Sequence, residues 1–174
     1  MALRQILTEP NEILRKKSLP VDSVDKDLQI LMDDMLETMY AAPGIGLAAI
    51  QVGIPKRVIV LDIEQKEGSK KPLFLVNPEI IQKSKNLSTY EEGCLSVPGQ
   101  FAEIDRPDKC HIKYLDYNGD SKELKAEGLL ATCIQHEMDH LEGILFIDYL
   151  SKLKRSMITK KLSKQKRELE RIVV

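Results

Sequence analysis

Residues 128–142 read GLLATCIQHEMDHLE, and this stretch does most to decide how the chain is interpreted. Its apolar spacing predicts a helix that stops at Gly143, since glycine is well suited to the position after a helix C-terminus. His136 and His140 are four residues apart, so on a helix they are offset by about 40° in angle and about 6 Å in rise. Both imidazoles can then bind one metal ion, while Glu137, rotated by about 100°, can handle a proton beside it. A surface helix that carries two histidines by chance is the weaker interpretation, because the chain has only three histidines.

Length and composition indicate a single domain over residues 1–174. The net charge is −1, which points to neither DNA nor a membrane as a partner. The three cysteines are an odd number, and no secretory segment precedes them, so we expect a reducing compartment rather than a disulfide framework. No apolar run approaches the roughly 20 residues of a membrane span. These features predict a cytoplasmic protein.

Two further helices are expected, one early and one at the end of the chain. Residues 10–21 are interpreted as an irregular lead-in with one short helical turn, after which Asp22 or Ser23 caps the first helix. That helix ends at the sequence AAPG, residues 41–44. Ser151 is expected to cap the last helix, which runs to about residue 171. The apolar residues of the first helix follow a 3.6-residue period and are assigned to the core: Leu28, Leu31, Met32, Met35, Leu36 and Met39.

Strands are expected between these helices. Residues 57–63 and 73–76 are β-branched or apolar runs, with a polar loop over 64–71 between them. Residues 79–90 fit either two short strands or an irregular excursion. Residues 101–115 and 123–125 are interpreted as extended, with a hairpin turn at Asn118-Gly119. The predicted fold class is α+β: mostly antiparallel strands packed around a central metal-binding helix, with an N-terminal helix and a long C-terminal helix.

A catalytic metal site needs a third protein ligand besides the two histidines. No third histidine follows the motif, and His111 lies in a strand-like run where a satisfied surface histidine is expected. Glu142 is six residues from His136, so on the same helix its side chain points away from the two histidines. Glu168 and Glu170, further along the chain, remain possible third ligands. Cys94 is the better candidate because glycines and a proline surround it in EGCLSVPG, residues 92–99.

The segment GIGLAAIQVG, residues 44–53, is the third notable stretch. Its Gly-x-Gly pair lacks the flanking residues of a phosphate-binding loop. We interpret it instead as a loop whose backbone donors and acceptors stay open to an extended ligand. Gln51 places an amide inside this apolar run and therefore needs a partner.

The three segments GIGLAAIQVG, EGCLSVPG and QHEMDHLEG, in this order, resemble the signature motifs of the peptide deformylase family. The resemblance implies that Cys94, His136 and His140 are metal ligands, with water at an open fourth position. It implies that Glu137 is the general base and then the general acid. It also implies an oxyanion hole built from the Gln51 side chain and the Leu95 backbone N–H.

The resemblance further implies that Gly46 and Gly93 lie along the substrate backbone. The residues it places near the methionine side chain are Ile45, Leu129 and Cys133. Two of these also fit the helix pattern, since residues 129, 133, 136 and 140 share one helical face. An apolar stripe thus runs into the predicted metal site.

The activity implied by the resemblance is hydrolysis of the N-formyl group from the N-formylmethionine of newly synthesised polypeptides, with release of formate. One divalent ion per chain is implied, Fe²⁺ in the cell and Ni²⁺, Co²⁺ or Zn²⁺ in purified protein. Two alternatives stay open at this point. One is an HExxH zinc endopeptidase, and the other is a non-catalytic, metal-stabilised module that binds the ribosome.

The last segment, residues 151–174, carries nine lysines and arginines against two glutamates. A solvated helix face is one interpretation of this charge run. The other, which the family resemblance favours, is docking to the ribosome near the exit tunnel. A bacterial cytoplasm is the expected location, with an organelle form lacking its leader as the alternative.

Overall fold

The computed structural model describes residues 2–65 and 68–172. Within these residues the helices are α1 (Lys26–Ala41), α2 (Gly128–Leu141) and α3 (Lys152–Ile172). Three short 3-10 turns are formed by Glu12–Arg15, Ala49–Val52 and Phe146–Tyr149. The strands are β1 (Gly46–Ala48), β2 (Val58–Leu61), β3 (Leu73–Lys83), β4 (Leu87–Cys94), β5 (Val97–Pro107), β6 (Lys109–Leu115) and β7 (Ser121–Glu127).

The strands form two antiparallel sheets. One has five strands in the order β1-β2-β3-β6-β7, and the other is the β4–β5 hairpin. The predicted α+β class with antiparallel strands is confirmed. The hairpin predicted at Asn118-Gly119 joins β6 to β7, and Gly119 adopts the positive φ of 86° that this turn requires.

The five-stranded sheet is covered on both faces, and β2 shows why. All four of its residues are buried, and they alternate between two clusters. Val58 and Val60 pack with α1, whereas Ile59 and Leu61 pack with α2. A strand buried on both faces reads as a continuous apolar run, which is why this one is recognisable in sequence. Helix α2 lies between this sheet and the β4–β5 hairpin, so both sheets pack against the same helix.

Helix α1 corrects the predicted cap. Asp25, and neither Asp22 nor Ser23, is the N-cap: its carboxylate accepts a hydrogen bond of 2.8 Å from the Leu28 N–H. Several capping residues stand close together here, and only the backbone turn selects one of them. The predicted end is confirmed at Ala41. The apolar stripe is buried as expected, apart from Leu36, which is partly exposed.

The segment 44–53 is not the open loop that the sequence predicted. Gly46–Ala48 is the edge strand β1, paired with β2, and Ala49–Val52 is a 3-10 turn. Pairing with β2 supplies hydrogen-bond partners for the backbone groups on one side of β1. This pairing is a long-range contact that the local sequence does not encode. The other side of β1 has no neighbouring strand among the described residues. The prediction of backbone donors and acceptors left open to a ligand therefore still holds for that edge.

Strands β3 and β7 are longer than predicted, whereas β2 is shorter, at Val58–Leu61 against the predicted 57–63, and the extended run 101–115 is divided between β5 and β6. Strand β3 continues from residue 76 to Lys83, and β4 begins at Leu87, so residues 79–90 take the two-strand alternative. Pairing of β3 with β6 extends it beyond its apolar part. The predicted polar loop 64–71 connects β2 to β3, with residues 66 and 67 outside the described part.

The end of α2 and the start of α3 follow the sequence predictions. Gly143 has φ 75°, and a β-carbon there would lie 2.4 Å from the Arg15 carbonyl oxygen, so glycine is required on two grounds. The Ser151 hydroxyl accepts a 3.3 Å hydrogen bond from the Lys154 N–H at the start of α3. Leu162 anchors α3 in a cluster with Phe146, and the helix is otherwise largely exposed. No helix in the described ranges is long and apolar enough to cross a membrane.

Candidate active site

Three side chains suited to metal binding meet between α2 and the end of β4. The donor atoms of Cys94, His136 and His140 all lie within 4.8 Å of one another, and Cys94 Sγ is 3.3 Å from His140 Nε2. Ligand bonds of about 2.3 Å to sulfur and about 2.0 Å to nitrogen place tetrahedral ligands roughly 3.3–3.6 Å apart. The cluster therefore fits a single divalent ion with only small adjustments.

Cys94 is positioned by an irregularity in the hairpin. The register between β4 and β5 shifts after Gly93, and Cys94 pairs with Val97 across a tight turn. The Ser96 N–H lies 3.4 Å from the cysteine sulfur, and the Gln51 amide nitrogen lies 3.6 Å from it. These contacts hold the sulfur close to His136 and His140.

His136 is held by a buried carboxylate that sequence reasoning missed. Its Nδ1 lies 2.9 Å from Oε1 of Glu92, so its Nε2 is left for a metal. Glu92 also receives two hydrogen bonds from Arg106, of 2.7 and 3.0 Å. Arg106 in turn bonds Asp139, which accepts from the Tyr149 hydroxyl. The available signal was strand alternation, which puts Glu92 on the same face as Cys94.

The ionisation of this cluster follows from burial and close partners. Burial alone disfavours charge on His136, but its bonds to Cys94 and Glu92 hold its pKa well above the usual value. Burial pushes the pKa of His140 well below the usual value, with the charge of His136 adding to the effect. Against the effect of burial, His136 and Arg106 hold the pKa of Glu92 below its usual value. The pair of Glu92 and Arg106 is therefore ionised around neutral pH.

Glu137 lies beside the three donors without being one of them. It is buried, and burial raises the pKa of its carboxyl to about 7. Its Oε2 has no hydrogen-bond partner among the described residues. The carboxylate packs against Gly46, where a β-carbon would lie 2.6 Å from Oε1. A buried acid with one free oxygen and a pKa near neutrality is suited to general acid–base chemistry.

Gln51 finds the partners that its burial requires. Its Oε1 accepts a 2.9 Å hydrogen bond from the Ala48 N–H, which fixes the orientation of the amide. Its Nε2 is therefore directed toward Cys94 and donates to the Ser96 hydroxyl at 3.0 Å. Leu95 lies in the turn between Cys94 and Ser96, and the β4–β5 turn thus faces the amide.

A cavity of about 810 Å³ opens over this cluster. Ten of the eleven residues predicted for the site line it, and the other, His140, is fully buried behind the metal-binding position. The ten are Ile45, Gly46, Gln51, Gly93, Cys94, Leu95, Leu129, Cys133, His136 and Glu137. The tertiary structure therefore brings residues of all three sequence motifs to one cavity.

The comparisons with known proteins agree with this geometry. The sequence profile of the family described as polypeptide deformylase matches residues 3–156. The peptide deformylase of Pelagibacter ubique is 67% identical over 95% of this chain and 96% of its own length. The crystal structure of peptide deformylase from Ehrlichia chaffeensis in complex with actinonin superposes with a TM-score of 0.90. It is 45% identical and covers 96% of this chain and 99% of its own. This chain belongs to the polypeptide deformylase family.

Members of the polypeptide deformylase family are metalloenzymes that hydrolyse the N-formyl group from the formylmethionine of newly made polypeptides, and this chain is such a hydrolase. The predicted family, function and enzyme class are confirmed. A peptide deformylase from Thermotoga maritima, 39% identical with a TM-score of 0.82, has the same fold and spans 87% of this chain and 99% of its own. Family membership decides against the endopeptidase and the non-catalytic module.

The other ligand candidates lie apart from this deformylase cavity. His111 pairs with Glu123 at 3.0 Å on the outer part of the sheet, as a satisfied surface histidine would. Glu142 pairs with Arg57 at 2.9 Å. Glu168 and Glu170 are exposed on α3. Within the described ranges, no second group of three such side chains converges closely enough to hold a metal ion.

Proposed function

We propose that Cys94, His136 and His140 hold one divalent metal ion at which this chain hydrolyses the N-formyl group of formylmethionyl peptides. The observation that supports this proposal is that the candidate ligands and the candidate catalytic side chains lie close together. The three donor atoms cluster together, the amide nitrogen of Gln51 lies 3.6 Å from Cys94 Sγ, and Glu137 lines the same cavity as Gln51, Cys94 and His136. When bound, such an ion would polarise the formyl carbonyl and increase the acidity of water.

The identity of the ion follows the chemistry of its ligands. One thiolate and two imidazoles suit iron, zinc, nickel or cobalt, and not magnesium or calcium, which prefer oxygen. We propose Fe²⁺ in the cell and Ni²⁺, Co²⁺ or Zn²⁺ as substitutes in purified protein. With only three protein ligands, the ion would still be able to bind water or substrate, as catalysis requires.

Glu137 is proposed as the general base and then the general acid. Its carboxylate takes the proton from the attacking water, which adds to the formyl carbon. As the C–N bond breaks, Glu137 returns the proton to the leaving amine, and formate and the free α-amine are released. Burial raises the pKa of this carboxyl to about 7 in the metal-free chain, and this increases its basicity for the first transfer.

Negative charge develops on the formyl oxygen as water adds to the carbon. The Gln51 amide and the Leu95 backbone N–H are proposed to donate to it. Because Ala48 holds the amide in one orientation, little reorganisation is needed when the charge appears. Removal of one such donor typically costs about 10²–10³-fold in turnover.

The substrate is proposed to lie along the free edge of β1. Gly46 and Gly93 are proposed to lie along its backbone, and both line the cavity. Ile45, Leu129 and Cys133 are proposed to surround the methionine side chain. Each of these lines the same cavity as Cys94 and His136, so a methionine bound there is proposed to place its formyl group near the ion.

Formate release from formyl-Met-Ala-Ser, measured anaerobically with added iron or nickel, tests this proposal. We expect release that falls about 10²–10⁴-fold in Glu137→Ala while the metal content per chain is unchanged. Glu168→Ala, which removes an exposed glutamate from α3, is the matched control. No release from protein that holds one metal ion per chain would contradict the proposal, and so would full activity in Glu137→Ala.

We further propose that residues 1–174 form one catalytic domain, that it works in the bacterial cytoplasm, and that α3 contacts the ribosome near the exit tunnel. The support for docking is that the basic residues of α3 are exposed, while Leu162 and its neighbours anchor the helix to the body. Because attraction to ribosomal RNA phosphates depends on charge, we expect the contact to weaken at higher salt.

Co-sedimentation with ribosomes tests the docking proposal. One variant reverses four exposed charges on α3, and the control reverses four exposed lysines on β6 and β7. We expect binding to be lost only in the first. Equal binding by both variants would overturn the proposal. The changes are Lys160→Glu, Lys161→Glu, Lys164→Glu and Arg167→Glu on α3, against Lys109→Glu, Lys113→Glu, Lys122→Glu and Lys125→Glu in the control.

A further inference from the structure

One end of the cavity lies between strand β4 and the first half of α2. Strand alternation places Tyr90 and Glu92 on the same face of β4, and Glu92 contacts α2 through His136. The phenol oxygen of Tyr90 lies beside the first turn of α2, 3.7 Å from the position of a β-carbon on Gly128. The next residue, Leu129, lines the cavity, as does Tyr90 itself. The phenol thus stands where the proposed pocket for the first side chain ends.

The other polar groups at this end of the cavity are engaged or enclosed. Glu92 is occupied by His136 and Arg106. The hydroxyl of Thr132 has no hydrogen-bond partner in the described ranges, but the oxygen is enclosed by protein atoms and is not accessible from the cavity. The thiol of Cys133 is directed to the Ile45 carbonyl oxygen at 3.9 Å. Tyr90 is a half-buried residue that lines the cavity, and its hydroxyl makes no hydrogen bond to any residue in the described ranges. It is therefore the donor that remains for a ligand at this end.

We infer that Tyr90 is a specificity-determining residue, whose hydroxyl donates a hydrogen bond to the sulfur of the substrate's first methionine. This inference rests on the proposed function, which places that side chain beside Leu129 and Cys133. A thioether sulfur is a weak acceptor, and a phenol is a good donor. An otherwise apolar pocket selects by shape, so it barely separates methionine from norleucine, in which a methylene replaces the sulfur. The phenol hydroxyl can donate a hydrogen bond to the sulfur of methionine but not to the methylene of norleucine, so it favours methionine.

Paired substrates give a direct test. The kcat/KM values for formyl-Met-Ala-Ser and formyl-norleucyl-Ala-Ser are measured with the metal-loaded chain, its Tyr90→Phe variant and a Tyr117→Phe control. Tyr117 donates to Asp33 at 3.0 Å, so the control removes a phenol hydroxyl from outside the cavity. We expect the methionine-to-norleucine ratio to fall about two- to five-fold in Tyr90→Phe and to stay unchanged in the control. Metal content per chain is measured for all three proteins.

Each outcome bears on a different claim. A general loss of activity in Tyr90→Phe, equal for both substrates, would give the residue a structural role and overturn the inference. An unchanged ratio would overturn it as well, because phenylalanine keeps the ring and removes only the donor. If the metal-loaded chain releases formate from neither substrate, the proposed function itself fails, and the specificity role fails with it. A selective fall in the methionine rate supports the inference.

Discussion

His136 and Glu92 are joined by a 2.9 Å hydrogen bond that connects the proposed metal site to a buried ion pair. Glu92 bonds Arg106 through both of its oxygens, and both side chains are about 5% exposed. A carboxylate on the second nitrogen of a metal-binding histidine fixes the ring and increases its basicity. This carboxylate is fixed in turn by the arginine, so the hairpin and α2 hold the ligand together.

Glu92→Gln is therefore expected to weaken metal binding without removing a ligand. The amide keeps the shape but cannot match the charge of Arg106 or orient His136 as firmly. We expect metal affinity to fall by about 10–100-fold, measured by competition with a chelator. Glu103→Gln, at an exposed position of β5, is the matched control. Equal affinities in the two variants would show that Glu92 does not support the site.

Gly46→Ala is expected to reduce activity through Glu137. The new β-carbon would lie 2.6 Å from Glu137 Oε1 and 3.1 Å from Cys133 Sγ, so the carboxylate has to move. Displacement of a catalytic group by about 1 Å can cost about 10²-fold, and we expect kcat/KM to fall by about 10–100-fold. If the loss acts through Glu137, adding Gly46→Ala to Glu137→Ala lowers the residual rate little further. Additive losses in the double variant would point to a separate effect on substrate binding.

The pH dependence of the reaction is expected to report Glu137. It acts as a base in its deprotonated form, so kcat/KM rises with pH and levels off above the carboxyl pKa. Burial raises that pKa to about 7 in the metal-free chain, and a nearby cation favours the carboxylate and moves the rise to lower pH. A profile of the metal-loaded enzyme from about pH 5 to about pH 8 checks this. A rate that falls as the pH increases toward neutrality would contradict the assignment.

Asp62 is expected to support the fold next to the cavity. It is 1% exposed, and its oxygens accept from the Tyr40 hydroxyl and from the N–H groups of Glu64 and Lys71. Its own N–H bonds the Ile45 carbonyl. Asp62→Ala removes a buried acceptor from three partly buried donors, so we expect the free energy of unfolding to fall by about 2–4 kcal/mol.

Urea denaturation at fixed metal saturation measures this change. Asp22→Ala, at an exposed position before α1, is the control and is expected to stay within about 0.5 kcal/mol of the parent chain. A similar, small change in both variants would show that the hydrogen bonds of Asp62 are replaced by water.

Elements that are defined by a repeating pattern within one segment could be predicted from the sequence. The helices around the 28–39 stripe and the HExxH motif are formed at the predicted places, because a 3.6-residue period needs no information from elsewhere. Features that depend on a distant partner were missed or shortened. Strand β3 continued to Lys83 through its pairing with β6, and residues 46–48 became an edge strand through their pairing with β2. The N-cap at Asp25 was missed for a local reason, since the backbone turn selects one of several capping residues that stand close together.

The sequence by itself determined the chemistry that this chain carries: a helical His-Glu-His arrangement, a cysteine in a glycine-bounded turn and one glutamine in an apolar run. Each is a local pattern whose residue types limit what it can do. Only the tertiary structure decided that Glu92 and Arg106, 14 residues apart, share a hairpin and face His136. It also decided that Gly46 lies against Glu137. These relationships arise from β4–β5 pairing and from packing against α2. A buried charge is costly unless it is paired, and the partners are too distant in sequence for a local pattern to predict them.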